Sequence, residues 1–188
     1  MKCLKRLLMV GITVSCITLA PVQSSLADQH APELQGLFEE LVQATDATEA
    51  AKLEQMIWQH WLEAPDEQSH MLMRGITQAM AAADLAIALQ MADELVQSHP
   101  DYAEAWNKRA TLHYMLGNND QSVADIRQTI ALEPRHFGAI SGLGLIFLRS
   151  QNFDAALAAF EQVLAISPAS AGAKSSIARL RQEVGREI

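Results

Sequence analysis

The sequence predicts an all-α protein of stacked antiparallel helix pairs, and three observations predict it. Pro100, Pro134 and Pro168 stand 34 residues apart, and a constant period of that length marks a helical repeat. Between the prolines, apolar residues recur three and four positions apart, the spacing of one helix face. No stretch shows the sustained alternation of apolar and polar residues that a half-buried strand requires. Composition agrees: with 49% hydrophobic and 19% charged residues, the chain has the makings of a packed core. Alanine runs such as Ala81–Ala83 favour helices that approach closely.

The elements follow in chain order. Residues 1–27 read as a secretory signal peptide: Lys2, Lys5 and Arg6 precede an apolar run from Leu7 to Ala20, and Ser25-Leu26-Ala27 supplies small residues for cleavage after Ala27. As a helix the run would reach only about 21 Å, short of a hydrocarbon core of about 30 Å, so cleavage is favoured over an uncleaved anchor through residues 7–20. Thr13 stands where a lipoprotein signal usually has Leu, which disfavours a lipid site at Cys16. Both cysteines, Cys3 and Cys16, lie in this segment, so the mature chain would hold no disulfide, thiolate nucleophile or cysteine-based metal site. Residues 28–32 form a flexible leader. Residues 33–68 carry Leu34, Leu37, Phe38, Leu41 and Val42, then Leu53, Ile57, Trp61 and Leu62, at helical spacing. They predict a hairpin, either a divergent repeat or a cap.

Three windows in register come next: 69–102, 103–136 and 137–170. Position 4 is Leu72, Trp106 and Ile140; position 8 is Ile76, Ala110 and Gly144; position 20 is Ala88, Ser122 and Ala156. Positions 4, 8 and 11 share a face of a first helix, and positions 20, 24 and 27 share a face of a second. Small residues at 8 and 20 let the two cross closely, and Gly117 with Asn118-Asn119-Asp120 provides a turn. Proline at position 32 stops each second helix. Residues 171–188 form a capping helix with Ala173, Ile177, Leu180 and Val184 on one stripe.

These windows resemble the tetratricopeptide repeat (TPR). The middle one supplies Trp106 and Pro134, and the last Leu143, Gly144, Phe147, Ala156, Phe160 and Pro168. The resemblance implies a right-handed superhelical solenoid whose first helices line a concave groove, with Trp106 in the core. It further implies ligand contacts at positions 2, 5, 6, 9, 12 and 13 of each repeat. Carried onto this chain, these give Met73, Arg74 and Thr77 with His70 and Met80; Glu104, Asn107, Lys108, Thr111, Tyr114 and Met115; and Ser141 and Arg149 with Leu145 and Leu148. Such a mixture suits a partner peptide or helix. Arg74, Asn107 and Lys108 partly fit a clamp for a terminal carboxylate, weighed against plain solvated polar residues.

Arg109 departs from the pattern, standing at position 7 where the family has Leu. Either Asp125 pairs with it, or its stem packs and its head reaches water. The whole chain carries 14 Lys and Arg against 22 Asp and Glu. Losing Lys2, Lys5 and Arg6 would leave 11 against 22, a net charge of −11. That balance excludes the basic face a nucleic-acid binder needs and favours, if anything, basic partners.

Catalysis finds no support. The six histidines show no metalloprotease spacing, Gly142-Leu143-Gly144 lacks the rest of a dinucleotide loop, and Ser141 is in no nucleophile elbow. The expectation is a non-catalytic scaffold for an unidentified protein or peptide, without cofactor or metal. It would be exported to the bacterial periplasm without stable membrane insertion, and be a monomer or weak oligomer. A structural, self-associating envelope protein is the alternative.

Overall fold

The computed structural model describes residues 32–186. The signal peptide, its cleavage after Ala27, the anchor alternative and the leader as far as residue 31 lie outside the described residues. The described residues form nine helices and no strand: α1 (Pro32–Gln43), α2 (Ala47–Leu62), α3 (Glu67–Ala81), α4 (Leu85–Ser98), α5 (Ala103–Met115), α6 (Asn119–Leu132), α7 (Phe137–Arg149), α8 (Phe153–Ile166) and α9 (Ala171–Arg186). Pro32 opens α1, at the helix position that tolerates its missing N–H.

Helices α3 to α8 are three hairpins. Each turns at the same place in the repeat, through Ala83 (φ 59°), Gly117 (φ 81°) and Gln151 (φ 58°). The next residue's N–H reaches back to a carbonyl of the ended helix: Asp84 to Ala79, Asn118 to His113 and Asn152 to Phe147, at 2.8–2.9 Å. Only Gly117 enters this left-handed region without a Cβ penalty. Within each hairpin the small residues set the approach. Ser122 Oγ donates to the Ala110 carbonyl at 2.8 Å. A Cβ on Gly144 would stand 2.7 Å from the Phe160 ring.

Between hairpins, Ala105 and Leu112 of α5 are buried in the α3–α4 cluster, and Ala139 and Ile146 of α7 in the α5–α6 cluster. The equivalent residues of α3, Met71 and Gln78, are exposed, so no described residue stacks on them ahead of the first repeat. At the other end α9 buries Ala173, Ile177 and Leu180 and presents Lys174, Arg179 and Arg181 to solvent. Trp106, expected in the core, is half-buried. Its indole N–H donates to the Pro100 carbonyl at 2.9 Å, and the Arg109 guanidinium lies over its ring, 4.9 Å from the centroid.

The α1–α2 hairpin does not continue the array. Its core joins Leu34, Phe38, Leu41, Ile57 and Trp61 to Phe137 and Ile140 of α7, Ala159 and Val163 of α8, and Ala169 and Ala173 beyond it, with no residue of α3 or α4. It lies across the solenoid edge made by the turns between repeats. Tyr102 donates to the Trp61 carbonyl at 2.9 Å, Arg135 to Gln35 at 2.7 Å, and Ser167 to Glu54 at 2.8 Å. Local signals start its second helix: the N-cap Asp46 accepts from the N–H of Thr48 and Glu49, and Glu49 accepts from the N–H of Thr45, one residue before the cap.

Candidate interaction surface

The concave face divides lengthwise. Along the edge where α2 lies, positions 2 and 5 of the middle repeat are taken up by the protein itself. Glu104 (1% exposed) and Asn107 (7%) are buried. Asn107 donates to Glu104 Oε2 at 2.8 Å, and His136 Nε2 donates to the same oxygen at 3.1 Å. Lys108 Nζ stands 3.2 Å from Oε1 without the alignment of a hydrogen bond. Burial alone would push the Glu104 carboxyl up; the His136 hydrogen bond, the Lys108 charge and the Asn107 amide outweigh it and hold the group below the usual carboxylate value. Two expected groove residues are thus corrected. Glu104 and Asn107 cannot meet a ligand, because the carboxylate needs its internal donors to remain charged away from water. With Asn107 consumed, the partial clamp of Arg74, Asn107 and Lys108 is not assembled.

His136 ties this cluster to the hairpin. Its Nδ1 accepts from the Ala139 N–H at 3.2 Å, capping α7, so the ring is the Nε2–H tautomer when it donates to Glu104. Trp61 stacks on it, centroids 4.0 Å apart and planes 9° from parallel, and Trp58 meets it edge-on at 5.4 Å. Trp58 also closes on the backbone of α7, where a Cβ on Gly138 would lie 2.5 Å from the indole. Burial pushes the Tyr102 phenol up, keeping it the donor that fixes α2. Sequence reasoning missed Trp58, His136 and Tyr102 as an assembly. The available signal was a hairpin with two tryptophans three residues apart that fitted no repeat position.

The other side of the groove is open. Arg74, Thr77, Thr111, Met115 and Arg149 are exposed, while Lys108, Tyr114 and Ser141 are half-buried. Met73 is buried but contributes to a cavity of about 320 Å³ with Leu62, His70, Arg74, Thr77 and Gln78. Leu62, at the end of α2, makes the hairpin one wall of that cavity. The hydroxyls of Thr77 and Thr111 donate to the carbonyls four residues back, each at 2.9 Å, leaving their lone pairs available. Arg149 lies over the Tyr114 ring at 4.1 Å, so α5 and α7 present one joint platform.

Arg109 pairs with Asp125 in a two-pronged contact, Nε to Oδ2 at 2.8 Å and Nη2 to Oδ1 at 2.7 Å, and reaches Asp93 of α4 at 3.0 Å. The Asp125 hydrogen bonds, working against partial burial, raise its pKa. The guanidinium therefore joins α4, α5 and α6 where the family pattern packs a leucine. Among the described residues no group of three His, Cys, Asp or Glu is placed to hold a metal ion, and no helix is long and apolar enough to cross a membrane.

The tetratricopeptide-repeat family model matches residues 76–122 and 107–171. A TPR repeat-containing protein of Rhizobium etli is 33% identical over 162 residues, 86% of this chain and 79% of that protein. The chain belongs to the tetratricopeptide-repeat family. Among solved structures, the first TPR of Spaghetti bound to an HSP90 peptide matches with TM-score 0.60 at 16% identity, over 65% of this chain and 97% of that one. MamA matches with TM-score 0.58 at 19% identity, over 87% of each chain. At these identities the likeness is one of fold. Against the repeat pattern, the edge-packed hairpin and Arg109 stand out, and the hairpin fills part of the groove.

Proposed function

We propose that this TPR protein is a non-catalytic scaffold for protein–protein interaction, exported to the bacterial periplasm. There it holds a partner segment along the open half of its concave face in cell-envelope assembly or maintenance. The observation that carries this reading is the continuous exposure of Arg74, Thr77, Thr111, Met115 and Arg149 beside a hairpin-walled cavity. Polar donors, adaptable methionine and an aromatic platform stand together on a rigid array. The Spaghetti TPR in its HSP90-peptide complex shares the fold and supports peptide capture by analogy.

Affinity capture from the native periplasm tests it, comparing the wild type with an Arg74/Thr111/Met115 triple-alanine variant of matched helicity. All three side chains are exposed, so the variant keeps its core. A protein captured by the wild type and lost from the variant supports the reading; identical captures sink it. For export, the mature protein from the periplasm is expected to begin at Asp28 by mass spectrometry. Recovery of residues 1–27 in a membrane fraction would instead favour the anchor.

A further inference from the structure

We propose that the bare end of the repeat array pairs with the same end of a second copy of the chain, in an antiparallel contact between the two α3 helices centred on Met71. The inference goes beyond the scaffold reading and does not rest on it.

Glu67, Met71, Arg74 and Gln78 stand at i, i+4, i+7 and i+11 of α3, the spacing of one stripe along a helix. All four are exposed, and the stripe lies opposite the face that buries Ser69, Met73 and Ile76. Met71 is 59% exposed, the most exposed of the large hydrophobic side chains among the described residues. At the positions of Met71 and Gln78, α5 has Ala105 and Leu112 and α7 has Ala139 and Ile146, all buried against the repeat before them. The stripe is therefore a stacking face like the internal ones, left without a described residue on it. Leu62, 39% exposed, shares a cavity with Arg74 and Gln78, so the end of α2 adds apolar surface beside the stripe.

The stripe is complementary to itself. At about 1.5 Å of rise per residue, Glu67 lies about 6 Å from Met71 along the helix, and Arg74 about 4.5 Å to the other side. Two copies related by a two-fold axis through Met71 run antiparallel. They set one thioether against the other and bring each Glu67 opposite the Arg74 of the other copy. Neither Glu67 nor Arg74 has an ion-pair or hydrogen-bond partner for its side chain among the described residues, so both charges are free to pair across the contact. A parallel pairing would instead set acid against acid and cation against cation. The opposite end of the array offers no matching surface: α9 covers it and turns Lys174, Arg179 and Arg181 outward, where Arg74 would meet like charge. A closed two-fold pair therefore follows, rather than an open chain of copies. One helix from each copy buries less than the roughly 1,200–2,000 Å² of a stable complex, so the dimer is weak and depends on concentration.

Sedimentation velocity of the mature protein over a concentration series tests the pairing. The wild type is expected to pass from monomer to dimer as concentration rises. Glu67→Arg and Arg74→Glu each create two like-charge pairs in the contact and should weaken the dimer by at least about tenfold. Mixed in equal amounts, these two variants should pair with each other, because each supplies the charge the other lacks. Met71→Asp should stay monomeric alone and in either mixture. All three positions are exposed, so helicity and melting should match the wild type. A wild type that remains monomeric at every concentration would overturn the proposal. So would a dimer that neither charge reversal weakens, a mixture that fails to recover it, or species that grow beyond the dimer. Mass is read without a bound partner, so the result is independent of what the concave face holds.

Discussion

The repeat array and the N-terminal hairpin are both pairs of antiparallel helices, yet they are held by different chemistry. The array packs through small and aliphatic residues in register: Ala88, Ser122 and Ala156 at one crossing position, and Ala105, Leu112, Ala139 and Ile146 between repeats. The hairpin is held by rings, with Trp58 and Trp61 against His136 and with Phe38 and Phe137 packed on the tryptophans, and by hydrogen bonds that span up to 113 residues. A repeat touches its sequence neighbours and needs only a shape that repeats. The hairpin must bind an irregular row of turns, and large planar side chains supply enough contact area there. The number of buried rings also means that the hairpin is a fixed wall of the groove rather than a lid.

The largest expected effect is on the hairpin. Trp61→Ala removes the ring stacked on His136 and should cost about 3–5 kcal/mol in chemical denaturation. If the hairpin were a loosely attached leader, the loss would be under about 1 kcal/mol. A matched pair of glycine substitutions sharpens the comparison. Gly138→Ala would push a methyl into Trp58 and Gly144→Ala into Phe160, each an overpacking expected to cost about 1–3 kcal/mol. The first should expose tryptophan to solvent, read as a red shift in fluorescence, and the second should not.

Acid should act through Glu104. Its carboxyl titrates lower in the folded protein than in the unfolded chain, so the unfolded state takes up protons first. The stability it contributes is complete above the unfolded value and is lost as pH falls through the folded one. The denaturation midpoint is therefore expected to drop as pH falls below the ordinary carboxylate value, and Glu104→Gln should flatten that slope. An unchanged slope would mean that the buried cluster is not what acid breaks. Asp46 and Asp66, which cap α2 and α3, are also held low, chiefly by backbone hydrogen bonds for Asp46 and by Ser69 for Asp66; they add to the slope with the same sign.

The smallest effect belongs to the turns of the array. Gln151→Gly relieves a left-handed φ that Gly117 already accommodates, and should raise stability by about 0.5–1 kcal/mol. A melting curve that fell instead would show that the Gln151 side chain contributes more than its backbone costs.

The helices, their order and the three windows were legible from the sequence, since the 34-residue period and the 3.6-residue stripe are both properties of neighbours along the chain. The groove was legible only in part. Arg74, Thr77, Thr111, Met115 and Arg149 are exposed, whereas Glu104 and Asn107, at groove positions 2 and 5 of the middle repeat, are buried. The difference lies in what packs above them, which register cannot record. Arg109 was visibly out of place in the pattern and Asp125 was one of two readings for it; the structure selects that pairing and adds Asp93 of α4.

By itself, then, the sequence determined the helical repeat, its length, the Gly117 turn and the closing helix, because each of these is an interaction between residues a turn or a repeat apart. The tertiary structure decided where the N-terminal hairpin goes, and with it which half of the concave face stays open. That choice depends on Trp58 and Trp61 meeting His136, Phe137 and Tyr102 across some 40 to 80 residues of intervening chain. Such contacts are set by complementary shape and paired polar groups in three dimensions, and no periodic pattern along the chain carries them.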